Sequence, residues 1–552
     1  MNDVAAVTST DTGSRNDSID AVIVGAGFAG MYMLHRLRQL GLTARVYESG
    51  DGVGGTWYWN RYPGARCDTE SVEYSYSFSE EIQQEWEWSE RYPTQPEILR
   101  YANWVADKLD LKRDIVFNTR VDRAEFDEDL AQWRIRTNSG DHAVARYLIM
   151  ATGCLSTAQL PRFEGLDSFK GAWYHTGQWP HEGVDFTGQR VGIIGTGSSA
   201  IQSIPVIAEQ ADHLYVFQRT PNYSVPAHNG PLDPAYVHEV KENYQQLREQ
   251  ARTSRRGYIL DVSPVRAQDV SEEERQAIYE YRWEVGGLGY LSSFGNLLSD
   301  SEANETAAEF VRDRIREIVH DPVTAEKLVP TDYPIGTKRL CIDTHYFETY
   351  NRDNVTLVDV KSAPIETITP SGLRTSEAEY ELDSIVFATG FDAMTGTLKN
   401  IDIRGRDGIQ LREKWRDGPV TYLGLAVAGF PNFFTITGPG SPSVLSNMMV
   451  SIEQHVEWIS DCLEHLEREQ ISHIETTPEE EQAWTAHVNE VAGSMLFAQG
   501  NSWWKGANVP GKPVVFMPYT GGVGMYREIC DRVAAEGYTG FVLSPATVST
   551  AD

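Results

Sequence analysis

The chain has 552 residues, 41% of them hydrophobic, and carries 79 acidic against 48 basic side chains, a net charge of −31. That much apolar material builds several domain-sized cores and excludes a chain that is disordered, collagen-like or coiled-coil throughout. The negative field repels nucleic-acid phosphates and anionic lipid surfaces, though it leaves room for a local cationic pocket.

In chain order, residues 1–18 are rich in Asp, Ser, Thr and Asn and read as a disordered tail without a signal peptide. Residues 19–24 are a β-branched run expected to form a buried parallel strand. It leads through Gly25-Ala26-Gly27-Phe28-Ala29-Gly30 into a helix over 31–40 and a second strand over 43–47 that ends at Glu48. The same order recurs as a strand over 190–194, Gly195-Thr196-Gly197-Ser198-Ser199-Ala200, a helix and a strand over 214–217. Amphipathic stretches at 236–253, 272–285 and 304–319 predict a helical insertion. Strands are expected at 355–358 and 384–387, and helices at 452–468 and 479–495. The cysteines Cys67, Cys154, Cys341, Cys462 and Cys530 are far apart and form no C-x-x-C pair. No disulfide framework and no metal site is expected, and the pattern fits a cytoplasmic protein.

Two strand–glycine-turn–helix units point to two dinucleotide-binding folds. Gly25, Gly27 and Gly30 permit the tight turn, the backbone approach to a pyrophosphate and close helix–strand packing, with the phosphates at the helix N-terminus. Gly195 and Gly197 repeat this, with Ala200 in the last place. Glu48 ends its strand where a carboxylate accepts bonds from ribose hydroxyls, which suits FAD or NAD. The matching place in the second unit is Gln218-Arg219-Thr220, where a guanidinium pairs with a 2′-phosphate, which favours NADP(H). A path from nicotinamide to flavin leaves flavin reductases and monooxygenases open. A disulfide reductase is excluded because it needs a close cysteine pair.

Two longer stretches carry a resemblance. Residues 169–180, Phe-Lys-Gly-Ala-Trp-Tyr-His-Thr-Gly-Gln-Trp-Pro, fit the pattern F-x-G-x-x-x-H-x-x-x-W-P/D at every fixed position. Residues 54–68, from Gly54-Gly55-Thr56-Trp57 to Tyr62-Pro63-Gly64-Ala65-Arg66-Cys67-Asp68, fit a second long pattern. Both are similar to those of the type I Baeyer–Villiger monooxygenases, and the chain most resembles the phenylacetone and steroid monooxygenase branch.

The resemblance implies an α/β fold with two Rossmann-like dinucleotide-binding domains and a helical insertion. The FAD domain would take residues 19–155 and 386–552, the NADP domain 156–230 and 331–385, and the insertion 231–330. It implies ketones, O2 and NADPH as reactants, esters or lactones as products through a C4a-peroxyflavin, sulfoxidation as a side activity, and a monomer. It makes Arg339 the catalytic cation and Asp68 its partner. Gly55, Thr56, Trp57, Tyr62 and Tyr74 are expected at the flavin. Thr196, Ser198, Ser199, Arg219, Thr220, Lys338 and Trp503 are expected at NADP. Phe169, Gly171, His175 and Trp179 would form the inter-domain linker, with His175 coupling the domains and taking no part in the chemistry. Ser443, Val444, Leu445 and Met448 would line the ketone pocket. Heteroatom hydroxylation on the same architecture, and a non-catalytic nucleotide-binding role, are the alternatives.

Overall fold

In the computed structural model, residues 18–260 and 262–545 are described. The expected tail, save Ser18, lies outside the described residues. Ser18 itself opens the first strand, Ser18–Val24, and pairs with Val144.

That strand runs in the middle of an eight-stranded sheet, between His142–Met150 and Ala44–Tyr47 and parallel to both. Its side chains alternate between two separate cores. Ala21 and Ile23 join the larger one, while Val22 and Val24 join the cluster around Trp133 and Phe433. Burial on both faces explains why the sequence reads as one apolar run and not as an alternating one. The outer part of the sheet is an antiparallel meander, Val121–Asp127, Gln132–Thr137 and His142–Met150. Two short strands, Asp402–Arg404 and Phe433–Thr435, return to it from much later in the chain.

The second sheet is parallel throughout, in the order Val355–Asp359, His213–Gln218, Arg190–Ile194, Ser384–Phe387, Ala172–His175. The expected boundary at 385/386 therefore needs correction. Val386 and Phe387 pair with Ile193 and Ile194, so the chain leaves the second unit only after this strand.

The helical insertion forms and straddles both units. Its first helix, Pro234–Thr253, packs Val240 and Tyr244 against Val72 of the first unit, and Arg248 donates to the Val72 and Glu73 carbonyls. Helices Glu272–Val285 and Ser301–Ile318 bury Tyr279, Phe310, Val311 and Ile315 in the core of the second sheet. Glu272–Val285 starts where expected because Ser271 and Glu274 cap each other's backbone N–H, and it stops at Gly286, whose φ is +74°. Among the described residues no helix is long and apolar enough to cross a membrane.

Gly30 shows how tightly the first glycine turn is packed: a Cβ there would lie 1.9 Å from the Gly25 carbonyl oxygen, which is backbone and cannot yield. Gly30→Ala should therefore cost about 3 kcal/mol. A drop in the thermal midpoint of about 2–3 °C, read by far-UV circular dichroism, is expected for a chain of 552 residues; an unchanged midpoint would contradict this packing.

Candidate active site

Each glycine turn ends at a helix whose first N–H groups have no side-chain cap. Gly27 is the N-cap of Phe28–Gln39 and Gly197 that of Ser198–Gln210, and neither receives a side-chain bond. Such ends carry partial positive charge and free donors, which a phosphate satisfies. Gly25 and Gly195 take φ of +104° and +116°, where any side chain would strike the Ala151 or Ala388 carbonyl. Gly27 and Gly55 come together closely, a Cβ on Gly55 lying 2.9 Å from Gly27 Cα. Gly197 is exposed and a Cβ there meets nothing within 4 Å, so this turn presents open backbone. Both turns fit a pyrophosphate.

Glu48, buried at 4% exposure, accepts from the Ala26 N–H at 2.7 Å and the Gly50 N–H at 2.8 Å. Its carboxylate is thereby held against the first turn, as a ribose contact requires. Thr56, the first residue of the short helix Thr56–Trp59, is exposed beside Gly55. Trp57 is buried and donates through Nε1 to the Tyr74 hydroxyl at 3.0 Å. Tyr62 does something else: its hydroxyl donates to Gln202 Oε1 at 2.8 Å, on the helix of the second turn. The Tyr62 hydroxyl thereby ties the two units together. Gln202 returns a bond to the Arg66 carbonyl at 3.1 Å.

At the second turn, Thr196 donates to the Thr220 carbonyl at 2.8 Å and so fixes the strand end that carries exposed Arg219. Ser199 lies 3.2 Å from the Thr176 hydroxyl. Lys338 rests with Nζ 4.1 Å from the Tyr333 ring centre. Burial, then the charge of Arg219, lowers its ammonium from the ordinary value, so the two cations share one patch. That patch is suited to a dianionic phosphate.

The linker stretch is structural in its details. A Cβ on Gly171 would lie 2.3 Å from the Asp383 carbonyl. Phe169 packs with the Ile385 cluster and Trp179 with Tyr174 and Phe186. His175 is 2% exposed; its Nδ1 accepts from the Gly177 N–H at 3.0 Å and Nε2 lies 3.3 Å from the Thr389 hydroxyl. Burial lowers its pKa, which keeps the ring neutral at neutral pH. It joins the ends of two adjacent strands.

Arg339 stands at the wall of a cavity between the units. Its Nε and Nη2 donate to Asp68 Oδ2 at 2.9 and 2.7 Å, and Nη1 donates to the Val444 carbonyl at 3.0 Å. Burial alone would lower the guanidinium, but Asp68 and then Tyr258 outweigh it, and the net shift is upward. The cation is permanent. Its segment is held because Cys341–Asp343, which follows it, pairs with Ser224–Pro226. Asp68 is held because Cys67 and Ser71 donate backbone N–H to the Pro93 and Arg91 carbonyls.

The same cavity is lined by Leu445, Trp504, Phe497, Leu291, Arg256 and Tyr258, among others. Of the expected ketone-pocket residues, only Leu445 lines it. Val444 contributes its carbonyl to Arg339. Ser443 is fully buried, its hydroxyl 3.0 Å from Cys154 Sγ, and Met448 opens the helix Met448–Arg468 and packs with core residues. Trp504 lines the cavity and Trp503 does not; the two rings sit 5.6 Å apart. The contribution of Arg255-Arg256-Gly257-Tyr258 was missed. Its only signal in the sequence is a basic pair and a glycine breaking an acid-rich insertion.

The family profile described as pyridine nucleotide-disulphide oxidoreductase matches residues 22–336. A Baeyer–Villiger monooxygenase of Pseudooceanicola batsensis is 45% identical over 97% of this chain and 98% of its own. A phenazine N-monooxygenase of Lysobacter antibioticus is 45% identical over 95% and 97%. A solved structure of an oxidised steroid monooxygenase bound to NADP matches with a TM-score of 0.92 and 54% identity, over 96% of this chain and 99% of that one. With the paired Asp68–Arg339 at the cavity between two glycine-turn units, and relatives of this identity over nearly the whole length, the chain belongs to the Baeyer–Villiger monooxygenase family.

Proposed function

We propose that the protein is an FAD-containing, NADPH- and O2-dependent monooxygenase that converts ketones to esters or lactones, working as a cytoplasmic monomer. The observation that carries the reading is Arg339, a permanent guanidinium held by Asp68 and the Val444 carbonyl at the wall of a largely apolar cavity. Bound FAD, reduced by NADPH, supplies the activated oxygen. The first turn with Glu48 would hold FAD; the second, with Arg219 and Lys338, would hold NADP(H) and select it over NAD(H).

Arg339 would stabilise the negative charge that builds on the substrate carbonyl oxygen under nucleophilic attack. A fixed cation in a site of low dielectric does this without reorganising. Asp68 fixes the plane of the guanidinium while leaving N–H groups for substrate. Leu445, Phe497 and Trp504 exclude water and hold the hydrocarbon part of the ketone. No side chain has to act as a base. Among relatives, the names acetone monooxygenase, cyclohexanone 1,2-monooxygenase and steroid monooxygenase span small, cyclic and polycyclic ketones.

The phenazine N-monooxygenase supports a second reading, oxygenation of a ring nitrogen by the same machinery. Product analysis with a ketone panel against N-heterocycles and amines separates the two. Sulfoxidation, which we propose as a side activity, does not discriminate. A purely regulatory nucleotide binder would consume no NADPH in air.

Arg339→Ala should lower ester formation by at least about 100-fold while NADPH still bleaches the flavin under argon. Full ester formation by the variant would overturn the assignment. Gly197→Ala, whose added methyl meets no protein atom, should leave the thermal midpoint within about 1 °C yet raise the KM for NADPH at least about fivefold. An unchanged KM would contradict placement of the pyrophosphate at this turn.

A further inference from the structure

Among the described residues Arg256 has no counter-ion. It lines the cavity that Arg339 lines, and its guanidinium makes no hydrogen bond or ion pair with any described residue. Among the described residues, the charges of Arg255 and Arg339 repel it. No carboxylate of a described residue lines the cavity, and Asp68 is committed to Arg339. Arg255 donates to Met495 Sδ at 3.2 Å, a weak acceptor that neutralises nothing. Burial pushes the Arg256 pKa down to about 10, which still leaves it charged at neutral pH.

The backbone under this side chain is fixed. The Arg256 carbonyl accepts from the Asn447 N–H at 2.8 Å, and the Gly257 N–H donates to Ser254 Oγ at 2.9 Å. Tyr258 meets Thr69, next to Asp68, at 3.4 Å between hydroxyls. Two further donors belong to residues of the same wall: the Trp504 indole N–H and the Thr520 hydroxyl are buried without partners. Much of the remaining surface is hydrocarbon, from Leu291, Leu298, Leu340 and Phe497. Arg255 is exposed and Arg256 half-buried, so water reaches both, and two guanidiniums among largely apolar walls without a described carboxylate attract an anionic group on an entering ligand. The cofactor's phosphates do not need Arg256, since the uncapped turns and the Arg219–Lys338 patch serve them.

We propose that Arg256 is a specificity residue that binds an anionic group, in the simplest case a carboxylate, carried by the ketone at a distance from its carbonyl, so that keto acids are the preferred substrate class. This rests on the reading of the protein as a ketone monooxygenase. Arg339 would take the reacting carbonyl and Arg256 the charged tail, with the alkyl chain against the leucines.

The test compares 7-oxooctanoate, its methyl ester and 2-octanone with the holoenzyme, NADPH and air. The keto acid should have a kcat/KM about tenfold or more above both neutral ketones. Arg256→Gln should remove most of that excess and Arg256→Lys should keep part of it. Separately, octanoate, which has no ketone to oxidise, should perturb the flavin absorbance with a Kd at least about tenfold tighter for the wild type than for Arg256→Gln. Equal kcat/KM for acid and ester in the wild type would overturn the proposal even if the variants did not fold. So would a loss of NADPH affinity in Arg256→Gln as large as the loss for keto acid, which would assign the guanidinium to the cofactor. If no ketone yields ester, the reaction assignment fails, and the octanoate titration still decides whether Arg256 binds an anion.

Discussion

The bond between Asp68 and Arg339 is the constraint on which the rest of the site depends. The two residues are 271 apart in sequence and come from different units. The pair is partly buried, with side-chain exposures of 20% and 23%, and the cost of desolvating both charges offsets much of their attraction. Its value is orientation. Two donors of one guanidinium converge on one carboxylate oxygen, a third reaches the Val444 carbonyl, and the plane of the cation is fixed against the cavity. Everything that holds Asp68 against the 91–93 segment, or the Arg339 segment beside Ser224–Pro226, acts on the chemistry through this one geometry.

The bonds from Tyr62 and Gln202, the helix Pro234–Thr253 and the loop at Arg256 serve the same end, since each crosses between the units close to the pair. The insertion is thus more than a decoration of the second unit. One of its helices leans on the first unit, two complete the core of the second, and the segment between them delivers Arg255, Arg256 and Tyr258 to the cavity wall. A net charge of −31 coexists with this cationic wall because the surplus carboxylates lie elsewhere.

What was legible in the sequence was local. Arg190–Ile194 and Ser384–Phe387 were expected at their observed ends because continuous apolar runs bounded by turn residues leave little freedom. Glu272–Val285 was legible because its cap and its terminal glycine are written within the segment. The short strands Ile115–Val116, Asp402–Arg404 and Phe433–Thr435 were not, since two or three residues carry no period and their partners lie far along the chain. The glycine turns, Glu48 and Asp68 stand in stretches whose spacing marks them, whereas Arg339 was expected only through the family resemblance. The cavity wall was not legible. Ser443 was expected there and is buried beside Cys154, while Arg256 and Trp504 arrive through tertiary packing that no spacing encodes.

The most direct measurement of the central claim is a double-mutant cycle on Asp68 and Arg339, with Asp68→Ala, Arg339→Ala and the double variant, read as ester formed per unit time at saturating NADPH and O2. If Asp68 acts by orienting Arg339, its removal should cost the wild type at least about tenfold but cost the Arg339→Ala protein almost nothing, a coupling of more than about 1 kcal/mol. Equal losses in both backgrounds would show that the two side chains act independently and would contradict the account.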